Sequence, residues 1–199
     1  MKRNLALFDF DGTLTVADSF TAFVFSAVPP TRLAWGKVLL APLVVSYKLG
    51  ILSASRMRSY IVWFGFRGRR DEELRKAGRE FARNAMASIL RAEALDRLHW
   101  HQRQGDVVVV VSASLDLYLS EWCQARGVEL ICSELDSRDG ILTGRYKSRD
   151  CCREEKAKRI LERYDLNQFQ DVFAYGDTSE DKAMLSLATR KFFRGLEVI

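Results

Sequence analysis

Two carboxylates near the start of the chain, Asp9 and Asp11, have the residue type and spacing that nucleophilic or acid–base chemistry needs. They lie at the end of the run Asn4–Phe10, which predicts a buried strand, and residues two apart in a strand point the same way. Burying two carboxylates without a function would cost free energy. Gly12 permits a sharp turn and a close approach to a ligand. The pattern therefore predicts a nucleophile together with an acid or base.

Two other interpretations of this aspartate pair are weaker. In a calcium-binding EF-hand loop that began at Asp9, the twelfth position would need a glutamate, and Phe20 stands there. An ordinary turn would leave the cost of burying two carboxylates unexplained.

Two single residues near other predicted strand ends can bind a phosphoryl group. Ser112 follows five valines, Val107–Val111, and its hydroxyl can donate to a phosphoryl oxygen. A serine here can also cap the following helix, a role that Ser114 can fill instead. Lys156 lies near the start of a predicted helix, where an ammonium can offset phosphate charge. A lysine on a charged helix is also commonly solvated, so neither residue decides the function alone.

Asp177 and Asp181 follow the predicted strand Asp171–Tyr175. The Asp177 carboxylate can complete an oxygen-rich magnesium site with Asp9 and the backbone carbonyl of Asp11. Acidic residues are also favoured at helix N-termini. This motif therefore indicates a metal only in combination with the first aspartate pair.

These motifs fall at or near the carboxyl ends of predicted strands, the edge at which open parallel sheets bind ligands. The predicted strands are Asn4–Phe10, Val107–Val111, Val128–Ser133, Asp171–Tyr175 and Lys191–Phe193, and the helices between them are Leu115–Arg126, Arg153–Tyr164 and Ser179–Ala188. Their alternation predicts an α/β fold with a doubly wound parallel, Rossmann-like sheet. Asp136–Tyr146 predicts a projecting hairpin.

Residues 16–104 differ from the rest because they contain no clear strand. Helices are predicted over Asp18–Val28, Thr31–Leu49, Ala54–Phe64 and Asp71–His101. We interpret this stretch as an α-helical cap inserted into a core of residues 1–15 and 105–199.

The composition is that of a folded protein with a mild basic excess. The 199 residues are 48% hydrophobic and 29% charged, which excludes a disordered tail. A net charge of +5 suits anionic partners such as phosphate esters, acidic lipid heads or nucleic acid. The cysteines Cys123, Cys132, Cys151 and Cys152 form no CxxC pair, which predicts reduced, mostly buried thiols. The start of the chain shows no signal-peptide pattern, which predicts a cytoplasmic location.

Taken in order, the motifs resemble those of the haloacid dehalogenase superfamily, in its phosphoserine-phosphatase-like subclass with a helical cap. The resemblance rests on DFDGTLT at 9–15, Ser112 at a strand end, EEK with Lys156, and YGDTSEDKAML with Asp177 and Asp181. It spans residues 4–187. Within the subclass, the hydrophobic cap, the SAS around Ser112 and the GR…C..EEK stretch are similar to the phosphatidylglycerophosphatase C-like group.

The resemblance implies a magnesium-dependent phosphatase. Asp9 would form an acyl phosphate, and Asp11 would protonate the leaving alcohol and then deprotonate water. Mg²⁺ would be held by Asp9, the Asp11 carbonyl and Asp177, with Asp181 as a support. Ser112 and Lys156 would bind the phosphoryl oxygens. Phosphoserine phosphatases usually carry Ser-Gly-Gly at the second motif, so the Ser112-Ala113-Ser114 sequence does not favour phosphoserine as the substrate.

The apolar segment Leu33–Leu52 leaves two interpretations open. Its longest uncharged run, Val38–Tyr47, is too short to span a membrane. With Lys37 and Lys48 on its flanks it can lie on an anionic membrane and admit a lipid phosphate. It can equally be a helix buried in the cap against Ile61, Phe64 and Phe81.

The leading hypothesis is hydrolysis of a small or lipid phosphate monoester, with phosphatidylglycerophosphate-like lipids among the candidates, by a cytoplasmic enzyme that can lie peripherally at the inner membrane face. The alternatives are an amino-acid phosphatase similar to phosphoserine phosphatase, a phosphotransferase on the same site, and a non-catalytic membrane-binding module, which the four intact motifs disfavour. A nucleic-acid partner is not expected, because no stacking platform accompanies the basic residues 67–70. The oligomeric state is not predicted.

Overall fold

The computed structural model describes residues 2–198, and its centre is a six-stranded sheet. The strands are β1 Leu5–Phe8, β2 Val107–Leu115, β3 Glu129–Ser133, β6 Val172–Gly176, β7 Arg190–Phe193 and β8 Leu196–Val198, in the order β3-β2-β1-β6-β7-β8. All neighbouring pairs among them are parallel except β7 and β8. A separate hairpin joins β4, Leu135–Arg138, to β5, Ile141–Tyr146. The predicted doubly wound α/β sheet is confirmed.

Nine α-helices surround these strands in the described part of the chain. They are α1 Ser19–Ala27, α2 Pro30–Leu39, α3 Ala41–Lys48, α4 Ala54–Phe66, α5 Asp71–Asn84, α6 Ala92–Gln104, α7 Asp116–Gln124, α8 Glu154–Arg163 and α9 Lys182–Ser186. None of the described helices has the length and apolar content that a membrane crossing requires.

The central strand β1 is buried on both faces, as the unbroken apolar runs predict. Ala6 and Phe8 belong to the larger hydrophobic cluster, which also contains the cap residues Phe23 and Phe66. Leu5 and Leu7 belong to the cluster on the opposite face. Covering both faces fixes the strand register, because a shift by one residue would exchange the two sets.

The single helix predicted over Asp71–His101 is wrong. The structure has α5 and α6, separated by a short 3-10 turn at Met86–Ile89. The last residue of that turn and a residue just after it bond to the loop that follows β1: Val16 N–H donates to the Ile89 carbonyl at 2.7 Å, and Arg91 N–H to the Leu14 carbonyl at 2.8 Å. These long-range bonds replace helical ones, so no local signal revealed the break.

The helix predicted over Thr31–Leu49 is also divided, between α2 and α3. Pro42 lies in the first turn of α3. Proline has no N–H to bond the Val38 carbonyl, and it is tolerated only where a helix begins. The sequence contained this signal, and the prediction did not use it.

The division into core and cap remains a prediction, and we propose one change to it. The helix α6 lies within the predicted cap at 16–104, yet its His101 packs edge-on against Phe8 and Phe173 of the central sheet. Leu98 and His101 are fully buried there. We therefore assign α6 to the core and propose that the cap ends before it.

All four cysteines are buried and none is in a disulfide, as predicted. Burial raises the pKa of Cys123 and Cys151 to about 12 and that of Cys152 to about 11, and raises that of Cys132 well above its usual value. Thiols held in this protonated form are poor nucleophiles.

Candidate active site

Asp9 lies at the carboxyl end of β1, where three strands bring the motifs together. Its backbone N–H donates to the Tyr175 carbonyl of β6 at 2.9 Å. Phe8, the residue before it, is in register with Val110 of β2 and with Tyr175. The residues that follow those two partners along their strands therefore reach the same edge of the sheet.

Lys156 connects two carboxylates at this edge. Its ammonium donates to Oδ1 of Asp9 and, at 2.7 Å, to Oδ1 of Asp181. All three side chains are buried, and that of Lys156 is only 2% exposed. Burial alone would lower the pKa of Lys156, but the two carboxylates raise it far above its usual value, so the ammonium stays charged.

Burial raises the pKa of Asp9 to about 7, with Lys156 opposing this shift and Asp181 and Asp11 adding to it. For Asp181, burial acts in the same direction, but Lys156 and two backbone N–H groups lower its pKa overall. Those N–H groups, of Asp177 and Thr178, donate to Oδ2 of Asp181 at 3.1 and 3.0 Å. Both oxygens of Asp181 are thus occupied by protein donors.

Asp9, Asp177 and Asp181 form the carboxylate cluster that could hold a metal. Each offers an oxygen, and these oxygens lie within 4.8 Å of one another. Among residues 2–198, no group donates a hydrogen bond to Oδ2 of Asp9, and the side-chain carboxylate of Asp177 accepts only a 3.5 Å contact from Thr13. Hard oxygen donors with unused lone pairs fit a divalent cation. Asp9 and Asp177 therefore have capacity for a metal, whereas Asp181 is occupied.

Gly12 makes the approach of Asp177 possible. A Cβ at this position would lie 2.3 Å from Oδ2 of Asp177. Gly12 also has a φ of 86°, in the left-handed region that favours glycine. The predicted sharp turn at this residue is confirmed, and the group that approaches it closely is the Asp177 carboxylate.

Asp11 lies in a network that the sequence did not reveal. Oδ2 of Asp11 accepts a hydrogen bond from the Ser114 hydroxyl, and Oδ1 accepts from the Ser19 N–H at 2.7 Å. The Ser19 hydroxyl lies 3.0 Å from Oη of Tyr118. Burial raises the pKa of Asp11, with the serine bonds opposing the shift. A carboxyl group that retains its proton more readily than usual is suited to donate one.

The suggestion that Ser114 caps the following helix is wrong. Leu115 occupies the N-cap position of α7 and makes no side-chain cap bond, while the Ser114 hydroxyl points to Asp11. Ser112 is 1% exposed, and its Oγ accepts the Ser114 N–H at 3.0 Å. The alternation of side chains along β2 did not reveal this arrangement, because the strand is irregular between Ser112 and Leu115.

Arg58 is a further residue at this site that the sequence did not identify. It projects from α4, donates to Oδ2 of Asp150 at 2.9 Å and to Oε2 of Glu180 at 3.0 Å, and so joins the cap helix to the core. Arg58 lies in the wall of a cleft of about 420 Å³ that also contains Asp9, Asp11, Ser112 and Lys156. A larger cavity of about 1000 Å³ between α4 and β5 contains none of the predicted site residues. The carboxylate chemistry, and not cavity size, locates the site.

A model of the haloacid dehalogenase-like hydrolase family matches residues 6–186. The chain belongs to this family. The predictions of the superfamily and of a hydrolytic enzyme are therefore confirmed.

One curated relative of this haloacid dehalogenase-like chain is Protein CicA of Caulobacter vibrioides. The two sequences are 32% identical over a region that covers 96% of this chain and 85% of the relative. A protein of unknown function from Bordetella pertussis Tohama I has a similar structure, with a TM-score of 0.80, 26% identity, and coverage of 96% of this chain and 89% of that one. Substrate-bound phosphoserine phosphatase superposes with a TM-score of 0.68 at 22% identity, covering 97% and 86% of the two chains. The phosphoserine-phosphatase-like fold is confirmed.

Proposed function

We propose that the chain is a magnesium-dependent phosphomonoester hydrolase that forms an aspartyl phosphate on Asp9. The observation that carries this proposal is the buried contact of Lys156 with Asp9, beside a carboxylate cluster that fits a divalent cation. The family is one of hydrolases, and a structure similar to this one is of a phospho-aspartyl intermediate analogue of phosphoserine phosphatase, which supports the same chemistry.

In the first step, a carboxylate oxygen of Asp9 attacks phosphorus and the bond from phosphorus to the ester oxygen breaks. Asp11 donates its proton to the departing alcohol oxygen, for which its raised pKa is suited. Lys156, together with the Ser112 hydroxyl, binds phosphoryl oxygens on which negative charge accumulates.

In the second step, the ionised Asp11 takes a proton from water, whose oxygen attacks phosphorus. The bond between phosphorus and Asp9 breaks, which releases inorganic phosphate and restores both aspartates. Ser114 and Ser19 keep the Asp11 carboxylate in position through both steps.

We assign Asp9, the Asp11 carbonyl and Asp177 as the groups that would hold Mg²⁺, with Asp181 as a support that also fixes Lys156. When bound, the cation supplies positive charge that reduces repulsion between the Asp9 carboxylate and an anionic phosphate ester.

The substrate we propose is a small or lipid phosphate monoester, with phosphatidylglycerophosphate as a candidate. The cleft supports this choice because it is polar beside Asp9 and apolar beside Phe20, Met57 and Ile61. These three residues also line an adjoining apolar groove of about 160 Å³ between α1, α2, α3 and α4. A substrate with a phosphate at one end and an apolar body would contact both.

The test is hydrolysis of p-nitrophenyl phosphate with Mg²⁺ or with EDTA, by the wild type and by Asp9→Asn. We expect Mg²⁺-dependent turnover in the wild type only. Acid-quenched wild type should carry a hydroxylamine-sensitive phosphoryl group on the peptide that contains Asp9. Full activity of Asp9→Asn, or a phosphoryl group on another residue, would overturn the proposal. An added alcohol that captures the phosphoryl group would identify a phosphotransferase instead.

A further inference from the structure

The helices α2 and α3 expose large apolar side chains to solvent. Within α2, the outward residues Trp35, Val38 and Leu39 are 60–67% exposed, and their spacing places them on one helix face. In α3 and the turn after it, Val45, Leu49 and Ile51 are 55–75% exposed. We call these six residues the outer apolar face. Of the eighteen residues in the two helices, only Gly36 is buried.

The inward side of these helices is apolar as well. Leu33, Leu40 and Val44 line the apolar groove that adjoins the catalytic cleft. A helix with apolar side chains on all sides is normally surrounded by other apolar groups, either of a protein core or of a membrane. A contiguous apolar surface of this kind on a monomer commonly marks an interaction site. The interpretation of this segment as a helix wholly buried in the cap is therefore wrong for its outer side.

The chain segment that carries the outer apolar face contains charged residues of one sign. Residues 19–70 contain eight arginines and lysines and no aspartate or glutamate. Since the chain carries +5 in total and this stretch carries +8, the remaining residues carry −3. Within residues 2–198, the exposed members Lys37, Lys48, Arg56, Arg67 and Arg70 make no salt bridge.

We propose that the outer apolar face docks on the surface of an anionic lipid bilayer. The apolar side chains would enter the boundary between headgroups and acyl chains while the surrounding cations contact acidic headgroups. This combination disfavours a second copy of the chain, because pairing the face with itself would bring two groups of unpaired cations together. Since no described helix can cross a membrane, the contact is peripheral.

Docking in this way would also orient the active site relative to the bilayer. This part of the inference rests on the proposed function. Tyr47 of α3 is 45% exposed and at the same time forms part of the wall of the catalytic cleft. The groove beneath the face shares Phe20, Met57 and Ile61 with that cleft. A bound bilayer would therefore lie beside the cleft entrance, where it can supply a phosphate monoester embedded in it.

The test is flotation with phosphatidylcholine vesicles and with vesicles containing phosphatidylglycerol. We expect the wild type and the catalytically inactive Asp9→Asn to bind the anionic vesicles only, and more weakly at high salt. The double variant Lys37→Glu/Lys48→Glu should bind at least about thirtyfold more weakly, because it removes two cations and adds two anions. Trp35→Ser/Leu39→Ser should also lose binding.

Matched controls lie on helices away from this face. Leu161 on α8 is 54% exposed and Lys76 on α5 is exposed, so Leu161→Ser and Lys76→Glu should bind as the wild type does. Hydrolysis of p-nitrophenyl phosphate should be unchanged in the face variants and in the controls.

Three results would overturn the inference: no binding of wild type to anionic vesicles, equal binding by the face variants, or a dimer in solution that Trp35→Ser/Leu39→Ser dissociates. Because Asp9→Asn is included, vesicle binding is measured independently of catalysis. Failure of the proposed function would appear in the hydrolysis assay and leave the binding result intact.

Discussion

The hydroxyl of Ser114 in β2 donates a hydrogen bond to the carboxylate of Asp11 in the loop that follows β1. This bond lowers the pKa of Asp11 against the larger effect of burial, which raises it. Ser114 is therefore placed to orient the group to which we assign both proton transfers.

Replacing Ser114 by alanine should lower kcat about tenfold, the effect of losing a charge-assisted hydrogen bond of about 1.5 kcal/mol. With that bond removed, the pKa of Asp11 rises, so the limb of the pH–rate profile that reports loss of the acid should move to higher pH. The profile of kcat against pH measures both. Ser88→Ala, at an exposed serine bonded to the Ala85 carbonyl, is the control. A profile identical to that of the wild type would contradict a positioning role.

Removing the Lys156 ammonium would leave Asp9 and Asp181 buried without a cation. Lys156→Met should therefore lower the free energy of unfolding by about 3–5 kcal/mol. Urea denaturation in EDTA measures this without a contribution from bound metal. Lys158→Met, at an exposed lysine of the same helix, should change it by about 1 kcal/mol or less. Equal losses in the two variants would show that the buried pairs do not stabilise the fold.

Alanine variants of Gly12 and Gly105 distinguish the effect of backbone strain from the effect of crowding the site. Both have a positive φ, 86° and 75°, but a Cβ at Gly105 would meet nothing within 4 Å. Each alanine variant should lose about 1–2 kcal/mol of stability. Only Gly12→Ala should also lose Mg²⁺ binding and turnover, because its methyl group displaces the Asp177 carboxylate. Isothermal titration with Mg²⁺ checks this, and unchanged Mg²⁺ affinity in Gly12→Ala would contradict it.

His101 should make the stability depend on pH. Its Nδ1 lies 2.7 Å from Asp106 and its Nε2 2.9 Å from the Tyr175 hydroxyl, and burial lowers its pKa although Asp106 opposes the shift. The unfolded chain then binds a proton more readily than the folded one. This contribution to stability is complete above the unfolded pKa of about 6.5 and is lost as the pH falls below it.

The free energy of unfolding of His101→Gln, measured by urea denaturation between about pH 7 and pH 5, should therefore fall less steeply than that of the wild type. Gln104→Ala, at an exposed and non-titratable residue of the same helix, should leave the slope unchanged. A steeper slope in His101→Gln would reverse the sign of the assigned shift.

By itself, the sequence determined the parallel sheet and the positions of the motif residues on it. Apolar runs such as Val107–Val111 and the polar residues that follow them are local patterns, and parallel strands align their carboxyl ends for purely geometric reasons. The family resemblance added roles for those residues, which remain proposals to be tested.

Only the tertiary structure decided which partners each side chain has. The break between α5 and α6 depends on bonds to residues 14–16, and the contacts of Ser114 with Asp11 and of Arg58 with Asp150 join residues about ninety or more apart in the chain. The sequence also did not determine that the outer apolar face is exposed, because an apolar helix has the same residue pattern whether it is buried or exposed. Hydrogen bonds and burial of this kind depend on how distant elements pack, and no local residue pattern carries that information.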